Sequence, residues 1–333
     1  MQLLSQTLRV SQTLRVYAIM GSIVIVTVTL NPSLDRTLVV PRLAWNEVLR
    51  ATASRLDWGG KGFNVSRALQ ALGAESLAMG LVGGAAGERL ERGLRELGIA
   101  TDLVPIAGET RSNTVVAEVT GERYLKVNEL GPAVQPEELS AFLDRVRARL
   151  RAGDLWVLAG NLPPGASPDY YAQLIALIQE DGGRALLDTS GEPLRLGCAA
   201  GPYLIKPNEA EFEELTGQKI RSMADALRAA RFRLGQGVAL VALSLGAEGL
   251  LLAAEGQAVH AVPPRVQVRV PVGTGDALLA GLAWALERGL SLAEMACWGV
   301  AAGTAAAMRE GVGVGTAQEV QAVYELVRTK VLD

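Results

Sequence analysis

From Ser22 onward the chain alternates short β-branched runs with segments of helical period. Such alternation is the mark of a parallel sheet with helices on both faces, because parallel neighbours need a long crossover to bring the chain back to the same end. The expected strands are IVIVTVT (23–29), SLAMGLV (76–82), LWVLAG (155–160), RALLDTS (184–190), YLIKPN (203–208) and VALVALSLG (238–246). Helical stretches fall between them at 62–73, 87–98, 137–151, 167–182 and 208–217, and several end at glycine, as a helix C-terminus should.

Two stretches, about 35–57 and 104–128, are rich in Val, Thr and charge and have no helical period. They predict a small β-layer built from two insertions, placed as a lid over the carboxyl edge of the parallel sheet or as a surface for pairing with another subunit. The rest reads as one domain over 21–333. SQTLRV at 5–10 is repeated at 11–16, with Met20 soon after, so residues 1–20 are expected to be a dispensable extension.

The remaining composition excludes several classes of function. A net charge of −3 and the lack of any Lys/Arg-rich run give no general attraction to nucleic acid, so an anionic ligand must be held by a local site. The single histidine, His260, lies in an alternating strand-like stretch, which nearly excludes histidine triads and zinc sites. Cys198 and Cys297 are far apart and in no metal-ligand spacing, consistent with reduced thiols and a cytoplasmic protein. YAIMGSIVIVTVTL (17–30) is too short for a membrane span, which takes about 20 apolar residues, and is read as a buried first strand.

Five motifs can carry chemistry. In PVGTGDALLAG (271–281), Asp276 either caps a helix or stands as a base beside an anion cradle of Gly273, Thr274 and Gly275 amides. WGGKGFN sets Lys61 inside a glycine turn, with Gly60 before it and Asn64 one helical turn on: a tight turn, or a grip on hydroxyls and an anionic group. LNPSLDRT sends Asp35 out beyond the first strand, as a turn residue or a ligand-binding one. In KPNEAEFEELTG, Asn208 and Glu211 have the spacing of an ordinary capped helix, and equally of a pair that orients magnesium-bound water near a nucleotide. ALSLGAEGLLL reads as a β-hairpin whose Ser244–Gly249 turn allows close backbone approach to a ligand.

Together and in this order, these motifs resemble those of the ribokinase/PfkB family of sugar kinases. The resemblance runs from about Ile23 to the C-terminus and includes both family signatures, GGKGFNVSRALQALGAESLAMGLVGG and PVGTGDALLAG. TLNPSLD, ETRSN, AGNLPPG, LLDTSGEPL and LIKPNEAE are most similar to the phosphofructokinase and tagatose-6-phosphate kinase branch. The resemblance implies a ribokinase-like α/β fold, with a mostly parallel sheet, helices on both faces and a small β-lid. It makes Asp276 the catalytic base and Gly273 to Gly275 the anion hole, and puts Asn208 and Glu211 at a magnesium-water motif. By the same resemblance Asp35, Gly60, Lys61, Asn64, Arg111 and Asn161 belong to the sugar-phosphate site, and Lys206, Ser244, Gly246 and Gly249 to the ATP half.

The chain departs from the family where Pro271 replaces Thr, Thr274 replaces Ala, Ala277 stands for a frequent Ser, and Asn161 replaces a Ser before LPPG. The expected activity is ATP- and magnesium-dependent phosphorylation of a ketohexose monophosphate. NEVLRA, which resembles the 1-phosphofructokinases, makes fructose 1-phosphate the first choice. Tagatose 6-phosphate and fructose 6-phosphate are the alternatives within the class, and an idle sugar-phosphate sensor the alternative outside it. A homodimer through the lid is the family's habit, and no nucleic-acid or membrane partner is expected.

Overall fold

In the computed structural model, residues 24–120, 123–268, 273–309 and 313–332 are described. The expected extension at 1–20 and Pro271 lie outside them. The chain begins with β1 (Ile25–Thr29), β2 (Ser33–Val40), β3 (Ala53–Gly59), α1 (Lys61–Ala71), β4 (Ser76–Val82), α2 (Gly84–Glu96) and β5 (Ala100–Pro105). It continues through β6 (Arg111–Glu118), β7 (Tyr124–Val127), α3 (Pro136–Arg147), β8 (Leu155–Ala159), α4 (Tyr170–Glu180), β9 (Arg184–Asp188), α5 (Gly191–Ala199) and β10 (Leu204–Ile205). The last third holds α6 (Glu209–Thr216), α7 (Met223–Leu234), β11 (Leu240–Ser244), β12 (Leu250–Ala254), β13 (Gln257–Val262), α8 (Thr274–Glu287), α9 (Leu292–Ala307), α10 (Ala317–Tyr324) and β14 (Arg328–Leu332).

Ten strands form one sheet in the order β14-β13-β12-β11-β10-β9-β8-β1-β4-β5. The pairs from β11 to β5 are parallel, and β12, β13 and β14 join antiparallel. This is the ribokinase-like α/β arrangement. The parallel strands are apolar on both sides because helices cover both faces. In β8, Trp156 and Leu158 pack with Phe142, Tyr171, Leu194 and Phe212 of α3 to α6, while Leu155 and Val157 face Val65, Leu279 and Val300 of α1, α8 and α9.

The α8–α9 pair is held close by glycines. A Cβ on Gly281 would lie 2.4 Å from the Trp298 carbonyl oxygen, and one on Gly303 would lie 3.1 Å from the Thr274 carbonyl oxygen.

A second sheet has the order β3-β2-β6-β7, with β2 and β6 parallel and the outer pairs antiparallel. Its inner side rests on Phe63, Leu90 and Leu94 through Leu34. The stretch 104–128 is not confined to this sheet: Val104 and Pro105 pair with β4 in the large one. YLIKPN is also shorter as a strand than expected, because Pro207 has no amide for the ladder and Asn208 begins a helix. The expected hairpin is present as β11 and β12, joined through a 3-10 turn at Gly246–Glu248. On β13, His260 donates a ring N–H to the Glu248 carbonyl at 2.8 Å. Cys198 is buried, Cys297 is half-buried, and both are free thiols.

Candidate active site

From β1 the chain proceeds to β4 and β5 on one side of the sheet and returns to β8 on the other. The order therefore reverses beside β1, where ligands of open α/β sheets bind beyond the carboxyl ends of the strands. The motif residues come to this edge.

At the end of β3, Gly59 and Gly60 turn the chain into α1. Gly60 has φ +133°, and a Cβ there would lie 2.6 Å from the Thr29 methyl, so only glycine lets the turn sit this close to β1. Lys61 and Asn64, one turn apart on α1, consequently project over the sheet edge. Across from them, Gly273 takes φ +79° in the left-handed region and starts α8 with no side-chain cap. Ala277 N–H donates to the Gly273 carbonyl at 3.0 Å, so the Gly275 and Asp276 amides stand in the first turn of α8, ahead of that bond. The Asp276 carboxylate is bound to α1, its Oδ2 accepting from Asn64 Nδ2 at 2.8 Å.

Charge concentrates here. Asp188, at the end of β9, is fully buried, and its Oδ1 lies 3.2 Å from Lys61 Nζ and 3.3 Å from Lys206 Nζ. Lys206 Nζ in turn sits 3.4 Å from where a Cβ on Gly275 would be. Burial raises the pKa of Asp276 above the ordinary carboxylate range, Lys61 and Lys206 oppose that shift, and Asp188 reinforces it. Burial disfavours the Lys61 ammonium, but Asp188, Asp276 and Glu211 together outweigh it and hold Lys61 protonated.

On the nucleotide side, Asn208 and Glu211 form a capping box: Asn208 Oδ1 accepts from the Glu211 amide and Glu211 Oε2 from the Asn208 amide, both at 2.9 Å. The ordinary capped helix is therefore present, and its box uses only Oε2 of the Glu211 carboxylate. Ser244 lies beside Asn208, its amide and hydroxyl both donating to the Pro207 carbonyl. Gly246 opens onto empty space. Gly249 does not: a Cβ there would meet the Ala261 carbonyl at 2.0 Å, so packing within the protein already accounts for this glycine.

The small sheet supplies the other wall. Asp35 Oδ1 accepts from Ser33 Oγ at 2.7 Å and from Asn113 Nδ2 at 2.8 Å. Arg111 donates to the Glu129 carbonyl at 2.8 Å and the Asn31 carbonyl at 3.0 Å, leaving Nε without a partner. Asn161 follows β8, exposed, just after Gly160, whose carbonyl accepts from Tyr171 and Thr189. Two residues outside the sequence-based set stand out, Asp188 and Asn113. Both lie in quoted motifs, LLDTSGEPL and ETRSN, but nothing local distinguishes them from a strand end and a polar strand residue.

Eight side-chain polar atoms among the described residues are buried without a partner, and five belong to this edge: Asn31 Oδ1, Asn64 Oδ1, Arg111 Nε, Asn113 Oδ1 and Asp188 Oδ2. Such orphans are uncommon in folded proteins, and their gathering in one place marks a binding site. A family model for pfkB family carbohydrate kinases matches residues 26–319.

The chain belongs to the pfkB family of carbohydrate kinases.

Among relatives of this kinase, 1-phosphofructokinase from Rhodobacter capsulatus is 38% identical over 82% of this chain and 86% of its own length. ATP-dependent 6-phosphofructokinase isozyme 2 of Escherichia coli (strain K12) is 34% identical over 90% and 97%. The crystal structure of phosphofructokinase-2 from Escherichia coli in complex with fructose-6-phosphate superposes with a TM-score of 0.86 at 32% identity, covering 91% of this chain and 99% of that one. As a family member the protein is an ATP-dependent phosphotransferase.

Proposed function

We propose that this kinase transfers the γ-phosphoryl group of ATP to a primary hydroxyl of a ketohexose monophosphate, with fructose 1-phosphate as the preferred acceptor. The observation that carries the reading is the buried Asp276 carboxylate, tied to Asn64 at the glycine-opened start of α8 and flanked by the ammonium groups of Lys61 and Lys206. The acceptor oxygen attacks the γ-phosphorus, its proton passes to Asp276, and the bond from that phosphorus to the β–γ bridging oxygen breaks to release ADP. A carboxylate whose pKa burial has raised is a stronger base than one in water. Amides ahead of the α8 ladder and Lys206 face the charge that develops on the transferred group.

Lys61, Arg111 and Asp35 would hold the sugar phosphate, Arg111 as the fork that matches a phosphate. Fructose 1-phosphate is favoured by the NEVLRA segment and by the 1-phosphofructokinases among the relatives. Among the described residues no three His, Cys, Asp or Glu side chains converge as a metal cage. Glu211 Oε1, which the capping box does not use, and the orphaned Asp188 Oδ2 fit an ion carried mainly by phosphates and water, with Asn208 holding Glu211 in place. Magnesium would supply charge neutralisation on the phosphates.

The small sheet would act as a lid and as the contact with a second copy of the chain. Trp45, Val48, Tyr124, Leu125, Val127 and Leu130 lie exposed on or beside it, an apolar surface that fits burial in a homodimer. No helix among the described residues is long and apolar enough to cross a membrane.

An ATP-consumption assay over fructose 1-phosphate, fructose 6-phosphate and tagatose 6-phosphate, with ligand-induced thermal shift in parallel, tests the reading. The highest kcat/KM is expected on fructose 1-phosphate. Thermal shift without turnover on all three sugars would overturn it.

A further inference from the structure

We propose that Asn113 is a positioning residue for substrate recognition: with Ser33 it locks the Asp35 carboxylate so that a single oxygen is presented to a sugar hydroxyl. The inference rests on the reading of Asp35 as a sugar-binding residue and goes beyond it, since no motif assigned Asn113 a role.

Strand register brings the group together. In the parallel β2–β6 pair Ser33 stands opposite Arg111 and Asp35 opposite Asn113, and on the other flank Ser33 stands opposite Gly59. Residues two apart on a strand share a face, so Ser33, Asp35, Arg111 and Asn113 form one patch although 78 residues separate Asp35 from Asn113. Asn113 is only 6% exposed. A single nitrogen, Nδ2, donates both to Ser33 Oγ at 2.9 Å and to Asp35 Oδ1 at 2.8 Å. The orientation of the amide is settled chemically, because an ionised carboxylate only accepts and the NH2 group must face it.

That orientation leaves Asn113 Oδ1 buried without a donor. Keeping an unsatisfied carbonyl there costs stability, and the bonds donated to Asp35 and Ser33 are what the cost maintains. Asp35 Oδ1 is filled by Ser33 and Asn113. Among the described residues none donates to Oδ2, and it lies 2.6 Å from where a Cβ on Gly59 would be, so the absence of a side chain at Gly59 keeps the space next to Oδ2 clear. The free oxygen is thus held against the glycine turn that carries Lys61. A fixed acceptor of this kind favours a substrate with a hydroxyl at that point over an analogue lacking it, because the analogue leaves the acceptor unpaired.

Steady-state kinetics of Asn113→Ala, Asn113→Asp, Asp35→Ala and Asn113→Ala/Asp35→Ala, each checked by thermal melt, test the proposal. Asn113→Ala should raise the sugar-phosphate KM about tenfold, the loss of one charge-assisted hydrogen bond, with kcat and the ATP KM within about twofold. In the Asp35→Ala background the same change should add nothing. Asn113→Asp keeps the shape but sets a carboxylate against Asp35, and should raise KM more than Asn113→Ala; a residue that only fills space would show the reverse order. Ser33→Ala should move KM in the same direction and serves if the Asn113 variants melt early. An unchanged KM in Asn113→Ala beside a raised KM in Asp35→Ala would overturn this proposal alone, whereas an unchanged KM in Asp35→Ala would overturn it together with the sugar-site reading.

Discussion

The two walls of the site are built differently. On the side of the large sheet, Asp188, Lys206 and Asp276 are 0%, 4% and 6% exposed, held between strand ends and the first turn of α8. On the side of the small sheet, Asp35 and Arg111 are only half-buried, and next to that sheet Trp45 and Val48 are 81% and 84% exposed. Charge transfer gains from fixed dipoles in a dry place, whereas recognition must admit a substrate first. On the proposed reading, the wall that does the chemistry is continuous with the core, and the wall that reads the sugar is a separate sheet.

The contrast breaks if variants on the two walls have the same kinetic signature. The largest effect is expected from Asp276→Asn. Asparagine is tolerated in a first helical turn but cannot take a proton, so kcat should fall at least about a hundredfold in a folded protein that still binds ATP and sugar phosphate. Near-normal kcat would return Asp276 to a structural role. On the other wall, Arg111→Ala should raise the sugar-phosphate KM by roughly 10- to 150-fold, equivalent to about 1.5–3 kcal/mol for charge-assisted hydrogen bonds, and leave the ATP KM alone. Titration of each substrate separates the two signatures.

Glu211→Gln sharpens the comparison, because glutamine preserves the capping box and removes only the charge. The magnesium needed for half-maximal rate should rise roughly tenfold, the lower end of what loss of an outer partner costs a metal site, with sugar KM unchanged. A Glu211 that merely caps its helix would show no change in magnesium dependence.

The smallest effect is on stability. Burial raises the pKa of Asp276 in the folded protein above its unfolded value. The ionised carboxylate thus weighs against folding above the folded pKa, and that cost fades as pH falls through the folded pKa toward the unfolded one. Asp276→Asn should accordingly melt about 1–3 °C higher than the parent at pH 8 and lose that advantage near pH 4, a trade of stability for activity. For the same reason the acid limb of the parent's kcat profile should lie above the ordinary carboxylate range. Melting curves and rates over pH 4–9 check both.

Much of this was legible in the sequence, and what was not has physical reasons. The parallel sheet showed in the alternation, and the glycine turns marked Lys61 and Asp276, because backbone conformation is a local property. Asp188 was missed because its two lysines come from α1 and the end of β10, and no local pattern announces a shared counter-ion. Asn113 was missed because its role depends on register between strands far apart in the chain. Helices α8 and α9 carry little periodic signal since both are rich in apolar residues and bury most of them. At Gly249 the sequence shows a glycine but not its neighbour, the Ala261 carbonyl on the adjacent strand.

The glycine seam between α8 and α9 extends the functional footprint beyond any atom that can touch a substrate. Gly303 lies against the Thr274 carbonyl, in the very turn that aims Asp276. A side chain there asks that turn or the neighbouring helix to give by a few tenths of an ångström. Saturation mutagenesis scored by turnover would draw an active site that includes the α8-facing side of α9, whereas the same library scored by ligand occupancy would leave that helix largely blank.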